Sequence, residues 1–136
     1  MGLIEIEGME FYAYHGHYEE EQIVGNKFLI NLKIDTDCSK ASESDDIEDA
    51  VNYQTAYKII KAEMQKKSNL LENIAGRILD ALHEKFKNVN SITIKVSKIN
   101  PPMGGKIKKV SVTLTRWFNN KKISWCNNLN NFAMQQ

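Results

Sequence analysis

The stretch FLINLKID, residues 28–35, decides the fold. Phe28, Ile30, Leu32 and Ile34 fall on one face of an extended chain, and Asn31, Lys33 and Asp35 on the other, because successive side chains of a strand point to opposite sides. An apolar face backed by a polar one describes a strand of an antiparallel sheet that is covered on one side. Toward the N-terminus the alternation begins at Leu3, with Ile4 and Ile6 opposite Glu5 and Glu7, and passes through Gly8-Met9 into FYAYHGHYEEEQIVG, residues 11–25. This predicts a long first strand and then a short helical turn over the acidic run. Gly25 ends that turn, since glycine tolerates the positive φ needed to turn back into the sheet. Three tyrosines, a phenylalanine, two histidines and three consecutive glutamates are more than a turn requires. The stretch therefore reads as one wall of an active site.

Toward the C-terminus, residues 35–49 are polar and read as a connection with one helical turn. Tyr53, Ala56, Tyr57, Ile60 and Met64 then recur at helical spacing through about residue 67, opposite Lys58, Lys61 and Lys66. Ser68-Asn69 interrupts the pattern. A second helix carries Leu71, Ile74, Ala75, Ile78, Leu82 and Phe86 on its inner stripe and stops at Asn88 and Asn90. The third strand sets Ile92, Ile94 and Val96 against Thr93, Lys95 and Ser97, with Lys98 continuing the apolar register. Asn100-Pro101-Pro102 breaks the ladder, Gly104-Gly105 loosens the loop, and Val110, Val112 and Leu114 face inward on a fourth strand. The expected fold is α+β in ββααββ order: a four-stranded antiparallel sheet with two helices on one face, leaving the other face for subunit contacts. Residues 1–116 form this domain. Residues 117–136, with six asparagines and two tryptophans, read as an appended tail. It is either a frayed end or, through Trp117, Phe118 and Trp125, a contact on a neighbouring subunit.

At 136 residues, 42% hydrophobic and 26% charged, the chain has material for one core and gains from self-association. A formal charge of +1 gives no reason to expect nucleic acid or an anionic membrane as partner. Cys38 and Cys126 lack a nearby second cysteine, which argues against a disulfide framework or a thiolate zinc site and favours a cytoplasmic setting. Glu5 and Glu7 interrupt any signal-peptide core, and no apolar run approaches the ~18 residues of a membrane span. A soluble protein is expected.

Five separated motifs, in order, carry a family resemblance: GMEFYAYHG (8–16), Glu21 to Gly25, SDDIEDAVNY (44–53), LLENIAGRI (70–78), and Lys98 to Pro102. Together they resemble the dihydroneopterin aldolase family of the folate pathway, over about residues 3 to 116. The resemblance implies the tunnelling fold (T-fold), in which subunits join their sheets into a barrel, as a homo-octamer of two stacked tetrameric rings with sites shared between neighbours. It implies a pterin substrate, 7,8-dihydroneopterin, cleaved in a retro-aldol reaction to 6-hydroxymethyl-7,8-dihydropterin and glycolaldehyde, and leaves a C2' epimerase activity open. Neither cofactor nor metal is expected, because the substrate's own N5=C6 imine can take up the electron pair that the breaking bond releases. The protein must supply a base, an acid and a rigid hold on the ring.

The resemblance assigns the catalytic roles to Lys98, Tyr53 and Glu21, and pterin binding to Glu72 with the backbone of Leu71 and Val51. Each has a plainer reading. One carboxylate can accept both the N3-H and the 2-amino group of a pterin, which suits Glu72, yet Asn69 and Glu72 also stand at the spacing of a helix-capping box. Lys98, in apolar register at a strand end, is either a partly desolvated amine beside Glu21 or a lysine whose stem packs while its ammonium reaches water. Tyr53 is a site phenol or a core aromatic. Glu19 and Glu20 read as a solvated face.

Two alternatives remain at this level. His15 and His17, if on a strand, share a face and resemble the HxH element of the zinc-dependent 6-pyruvoyl-tetrahydropterin synthase group, although no histidine precedes His15 to complete the ligand set. A non-catalytic pterin-binding oligomer is the other, and the joint presence of Glu21, Tyr53, Glu72 and Lys98 speaks against it.

Overall fold

The computed structural model describes residues 1–118. In chain order the elements are β1 (Gly2–Ala13), α1 (Glu19–Val24), β2 (Asn26–Thr36), α2 (Ser39–Ser44), a 3-10 turn (Ile47–Asp49), α3 (Tyr53–Met64), α4 (Leu71–Lys85), β3 (Ser91–Ile99) and β4 (Lys109–Trp117). The strands form one antiparallel sheet in the order β1-β2-β3-β4. The expected α+β architecture is therefore present. The polar connection holds α2 as well as the 3-10 turn, where one turn was expected.

Phe28, Ile30, Leu32 and Ile34 of β2 and Ile92, Ile94 and Val96 of β3 are all buried on the helix-bearing face. They meet Ala56, Ile60 and Met64 of α3 and Ile74, Ala75, Ile78, Leu79 and Leu82 of α4. Burying each large aliphatic side chain contributes roughly 1.5–3 kcal/mol. Helix α4 lies on β3 and β4, and α3 packs against α4 and β1. Asn52 starts α3 by accepting hydrogen bonds from the backbone N–H groups of Gln54 and Thr55.

The helical stripes differ from expectation in places. Tyr57 is exposed and stacks on Phe11 at 5.9 Å between ring centroids, so it edges the core without entering it. Leu79 joins the core of α4, three and four residues from Leu82 and Ala75 on the same broad apolar face. On β4, Val112 and Leu114 are half-buried and Val110 is exposed, because this strand lies at the sheet edge.

A bulge corrects the phase of β1. Ile6 pairs with Leu32, yet Met9 pairs with Ile30, so Glu7 and Gly8 together stand opposite Asn31. Gly8 takes φ 70° and donates its N–H to Asn31 Oδ1 at 2.6 Å. Before the bulge Ile4 and Ile6 lean inward; after it Met9, Phe11 and Ala13 do.

Strand β4 continues to Trp117. The Phe118 N–H then donates to the Asn90 carbonyl at 2.8 Å, and its ring stacks on His83 of α4 at 4.3 Å. Phe118 thus packs within its own subunit, while Trp125 and the rest of 119–136 lie outside the described residues.

Candidate active site

Glu21, Lys98 and the start of α4 meet at one end of the sheet. Cross-strand pairing places Lys98 opposite Phe28 on one side and Val110 on the other, the last helix-facing position of β3. Its ammonium bonds Glu21 Oε2 at 2.5 Å, and both side chains are mostly shielded, at 14% and 12% exposure. Glu21 reaches it because Gly16 lets α1 approach closely. A Cβ at position 16 would lie 2.5 Å from Glu21 Cβ and 2.8 Å from its carboxyl carbon. At the far end of α1, Gly25 takes φ 79° as expected and returns the chain into β2.

The segment carrying Gly16 is tied to the loop before α4. His15 Nδ1 accepts the Ser68 N–H at 3.0 Å, and the Gly16 N–H donates to the Ser68 carbonyl at 3.0 Å. Gln22 Nε2 donates to the Gly16 carbonyl and to Asn69 Oδ1, at 2.8 and 3.2 Å. Arg77 grips the same loop from α4: Nε and Nη2 donate to Ser68 Oγ at 3.1 and 2.8 Å, and Nη1 pairs with Glu63 at 2.6 Å. Its remaining N–H groups satisfy the Glu63 and Lys66 carbonyls at the end of α3.

His15 is buried, edge-on to Phe28, and burial holds its pKa below the usual histidine range. The Met64 carbonyl works against that shift, while the Arg77 and Lys98 charges reinforce it. Its Nε2 is buried without a hydrogen-bond partner. The ring is neutral at neutral pH. Strand β1 ends at Ala13, so His15 and His17 sit in a loop and not on a strand: His15 points into the core and His17 into solvent. They share no face, and among the described residues no group of three or more His, Cys, Asp or Glu is placed to hold a metal.

At the start of α4 the two readings of Glu72 separate. The N-cap is Leu70, no side chain caps the helix, and Asn69 Oδ1 is engaged by Gln22. No capping box forms, and Glu72 is left exposed on the first turn beside Leu71. Leu71, Glu21 and Lys98 line one hollow of about 190 Å³ together with Tyr18, Pro101, Pro102, Met103 and Val110. Tyr18 comes from the aromatic and acidic stretch read as a wall of the site, whereas Met103 and Val110 carry no sequence signal for this place and arrive with the β3–β4 loop and the start of β4.

Val51 and Tyr53 lie elsewhere. Val51 lines a cleft with Ile4, Thr36 and Val89, at the sheet end where Gly2 pairs with Thr36 and Asp35 with Ser91. Tyr53 starts α3 at that same end and is 58% exposed, which rules out a core aromatic. The 12 residues of α3 carry the chain back over about 18 Å to Met64, beside His15. Within one chain, therefore, Val51 and Tyr53 lie at the opposite end of the sheet from Lys98, and Tyr53 is not brought to its own Lys98.

The family model for dihydroneopterin aldolase (FolB) matches residues 4–115. Dihydroneopterin aldolase of Bacillus subtilis is 38% identical over 117 residues, covering 85% of this chain and 98% of that protein. The Streptococcus pyogenes serotype M18 enzyme of the same name is 36% identical with the same coverage. The crystal structure of E. coli dihydroneopterin aldolase in complex with neopterin superposes with a TM-score of 0.78 at 25% identity, covering 85% of this chain and 99% of that one.

Proposed function

Since this chain belongs to the dihydroneopterin aldolase family, we propose that each of its active sites is assembled from two subunits, one giving Glu21, Lys98, Leu71 and Glu72 and the other Val51 and Tyr53. The family's function is that of an aldehyde-lyase of folate biosynthesis, and this chain carries it. The observation that supports the site assignment best is the shielded Glu21–Lys98 pair at 2.5 Å, set in a hollow with Leu71 beside the exposed Glu72.

The substrate class is a small-molecule pterin, in line with the neopterin bound to the E. coli enzyme. Glu72 accepts the N3-H and 2-amino group through its two oxygens, which fixes ring orientation as well as affinity, and backbone groups of Leu71 and Val51 complete the hold. The side chain of 7,8-dihydroneopterin then extends toward Lys98 and Glu21. Loss of the C2' hydroxyl proton to this pair drives cleavage of the C1'–C2' bond. Glycolaldehyde leaves, and the electron pair is delocalised into the N5=C6 imine as an enamine. A proton returned to C1', with the Tyr53 phenol of the neighbouring subunit as donor, gives 6-hydroxymethyl-7,8-dihydropterin. A proton can pass between Glu21 and Lys98 across their contact, so the pair can take one and replace one within a cycle. Recapture of glycolaldehyde on its opposite face would give the C2' epimer, which is the route by which the same groups support epimerase activity.

Assembly follows from the same geometry. Among the described residues the outer edges of β1 and β4 have no strand partner, and open edges invite pairing with another copy. Joining these edges would close the sheets into a ring, with two rings stacked as a homo-octamer. A cytoplasmic location belongs to the same reading: Cys38 is a free thiol, and among the described residues no helix is long and apolar enough to cross a membrane. The test is incubation of the metal-free protein with 7,8-dihydroneopterin. Hydroxymethyldihydropterin and glycolaldehyde are expected in equal amounts, and a folded oligomer that produces neither would refute the assignment.

A further inference from the structure

We propose that His15 is a positioning residue for the reaction: its neutral imidazole, as a hydrogen-bond acceptor, holds the Glu21–Lys98 pair in place against the start of α4. This inference rests on the reading that the pair carries the chemistry. The contacts run without a break. Ser68, in the loop that leads into α4, is held by Arg77 through its hydroxyl and by His15 Nδ1 through its N–H. Its carbonyl takes the Gly16 N–H, and Gly16 abuts Glu21. Gln22, next in sequence to Glu21, closes the circuit by donating to the Gly16 carbonyl and to Asn69. The distance from the proton-transferring pair to the pterin-holding turn is thereby set by this small circuit, and His15 is its one buried ring.

The chemistry of the ring explains why a histidine serves here. The Ser68 N–H points into a buried place and needs an acceptor, and an apolar residue of the same size would leave it unpaired. Nδ1 of a neutral imidazole accepts, while the rest of the ring packs edge-on against Phe28 at 5.2 Å. Asparagine places its Oδ1 where Nδ1 lies and so keeps the acceptor. Phenylalanine keeps the packing and loses it.

The experiment compares His15→Asn, His15→Phe and Lys98→Ala by single-turnover cleavage of 7,8-dihydroneopterin, with neopterin affinity measured by fluorescence. His15→Asn should retain kcat within about threefold, while His15→Phe should lose about 10- to 100-fold in kcat with neopterin affinity kept, the scale of a 1 Å misplacement at a reacting centre. A His15→Phe protein that turns over normally, or equal losses in both His15 variants, would overturn the proposal. So would a fully active Lys98→Ala, which would remove the pair's own role; a dead Lys98→Ala beside an unaffected His15→Phe would overturn the positioning role alone. Should His15→Phe fail to fold, Gln22→Met opens the same circuit at a partly exposed position. It should lower kcat with neopterin affinity kept, and wild-type turnover there would equally count against the circuit.

Discussion

Replacing Gly16 by alanine tests the role of Glu21 without touching its carboxylate. The new methyl would sit 2.5 Å from Glu21 Cβ and 2.8 Å from its carboxyl carbon, well inside van der Waals contact. Restoring an ordinary separation moves the Glu21 side chain by about 1 Å, which takes its contact with Lys98 from 2.5 Å to beyond the range of a charge-assisted hydrogen bond. A displacement of about 1 Å at reacting groups costs about 100-fold in rate, or ~2.7 kcal/mol of barrier. Overpacking of this kind costs ~1–3 kcal/mol of stability, less than the ~5–15 kcal/mol typical of a domain, so the protein should stay folded. Stopped-flow single-turnover cleavage, beside a thermal melt, gives both numbers. The double variant with Glu21→Gln should be little slower than Glu21→Gln alone, because both changes remove one interaction. A folded Gly16→Ala protein with wild-type turnover, or a double variant whose losses multiply, would refute the reasoning.

Glu72→Ala should weaken pterin binding by roughly 2–4 kcal/mol, about 30- to 1,000-fold in Kd, for two charge-assisted bonds lost, with single-turnover chemistry largely kept. Lys98→Ala should do the reverse, slowing chemistry by about 100- to 10,000-fold, and the opposite pattern in binding and single-turnover measurements would exchange their roles. Mixing unfolded Lys98→Ala and Tyr53→Phe chains in equal amounts and refolding them should restore about one quarter of wild-type sites, since each site draws on two subunits; no recovery would mean that each chain builds its own site. Stability should be full above the ordinary histidine pKa of ~6.5 and decline as pH falls from there toward the lowered value of folded His15, because the unfolded chain binds the proton first. Denaturant melts across that window should show the slope, and His15→Asn should flatten it.

The alternation at residues 28–35 and 92–96 identified the sheet and its buried face, because period-2 burial leaves a direct trace in residue type. The 3.6-residue repeat did the same for Ala56, Ile60 and Met64. Periodicity reports which side of an element is covered and says little about its ends. Tyr53 lay in the helical register yet belongs to a first turn that projects past the core, and Val110 lay in a strand register whose edge the helices do not cover. Glu21, Lys98 and Leu71 were singled out from separate motifs, and the structure brings them to one hollow. The distance of Val51 and Tyr53 from that hollow could not be read, since it depends on the direction in which α3 crosses the sheet. Whether His15 and His17 share a face could not be read either, because nothing local shows that β1 stops at Ala13.

The bulge at Glu7-Gly8 has a consequence for sequence change along β1. Met9, Phe11 and Ala13 all carry odd numbers, and their inward direction depends on the single extra residue that precedes them. Deleting Gly8 would spare every side chain named in the site and still exchange inside for outside from Met9 to Ala13, turning Tyr12 toward the core. Substituting Gly8 is a milder insult, for a Cβ there meets nothing within 4 Å and only the φ of 70° resists it. Homologous chains should therefore vary in residue at this point far more readily than in length.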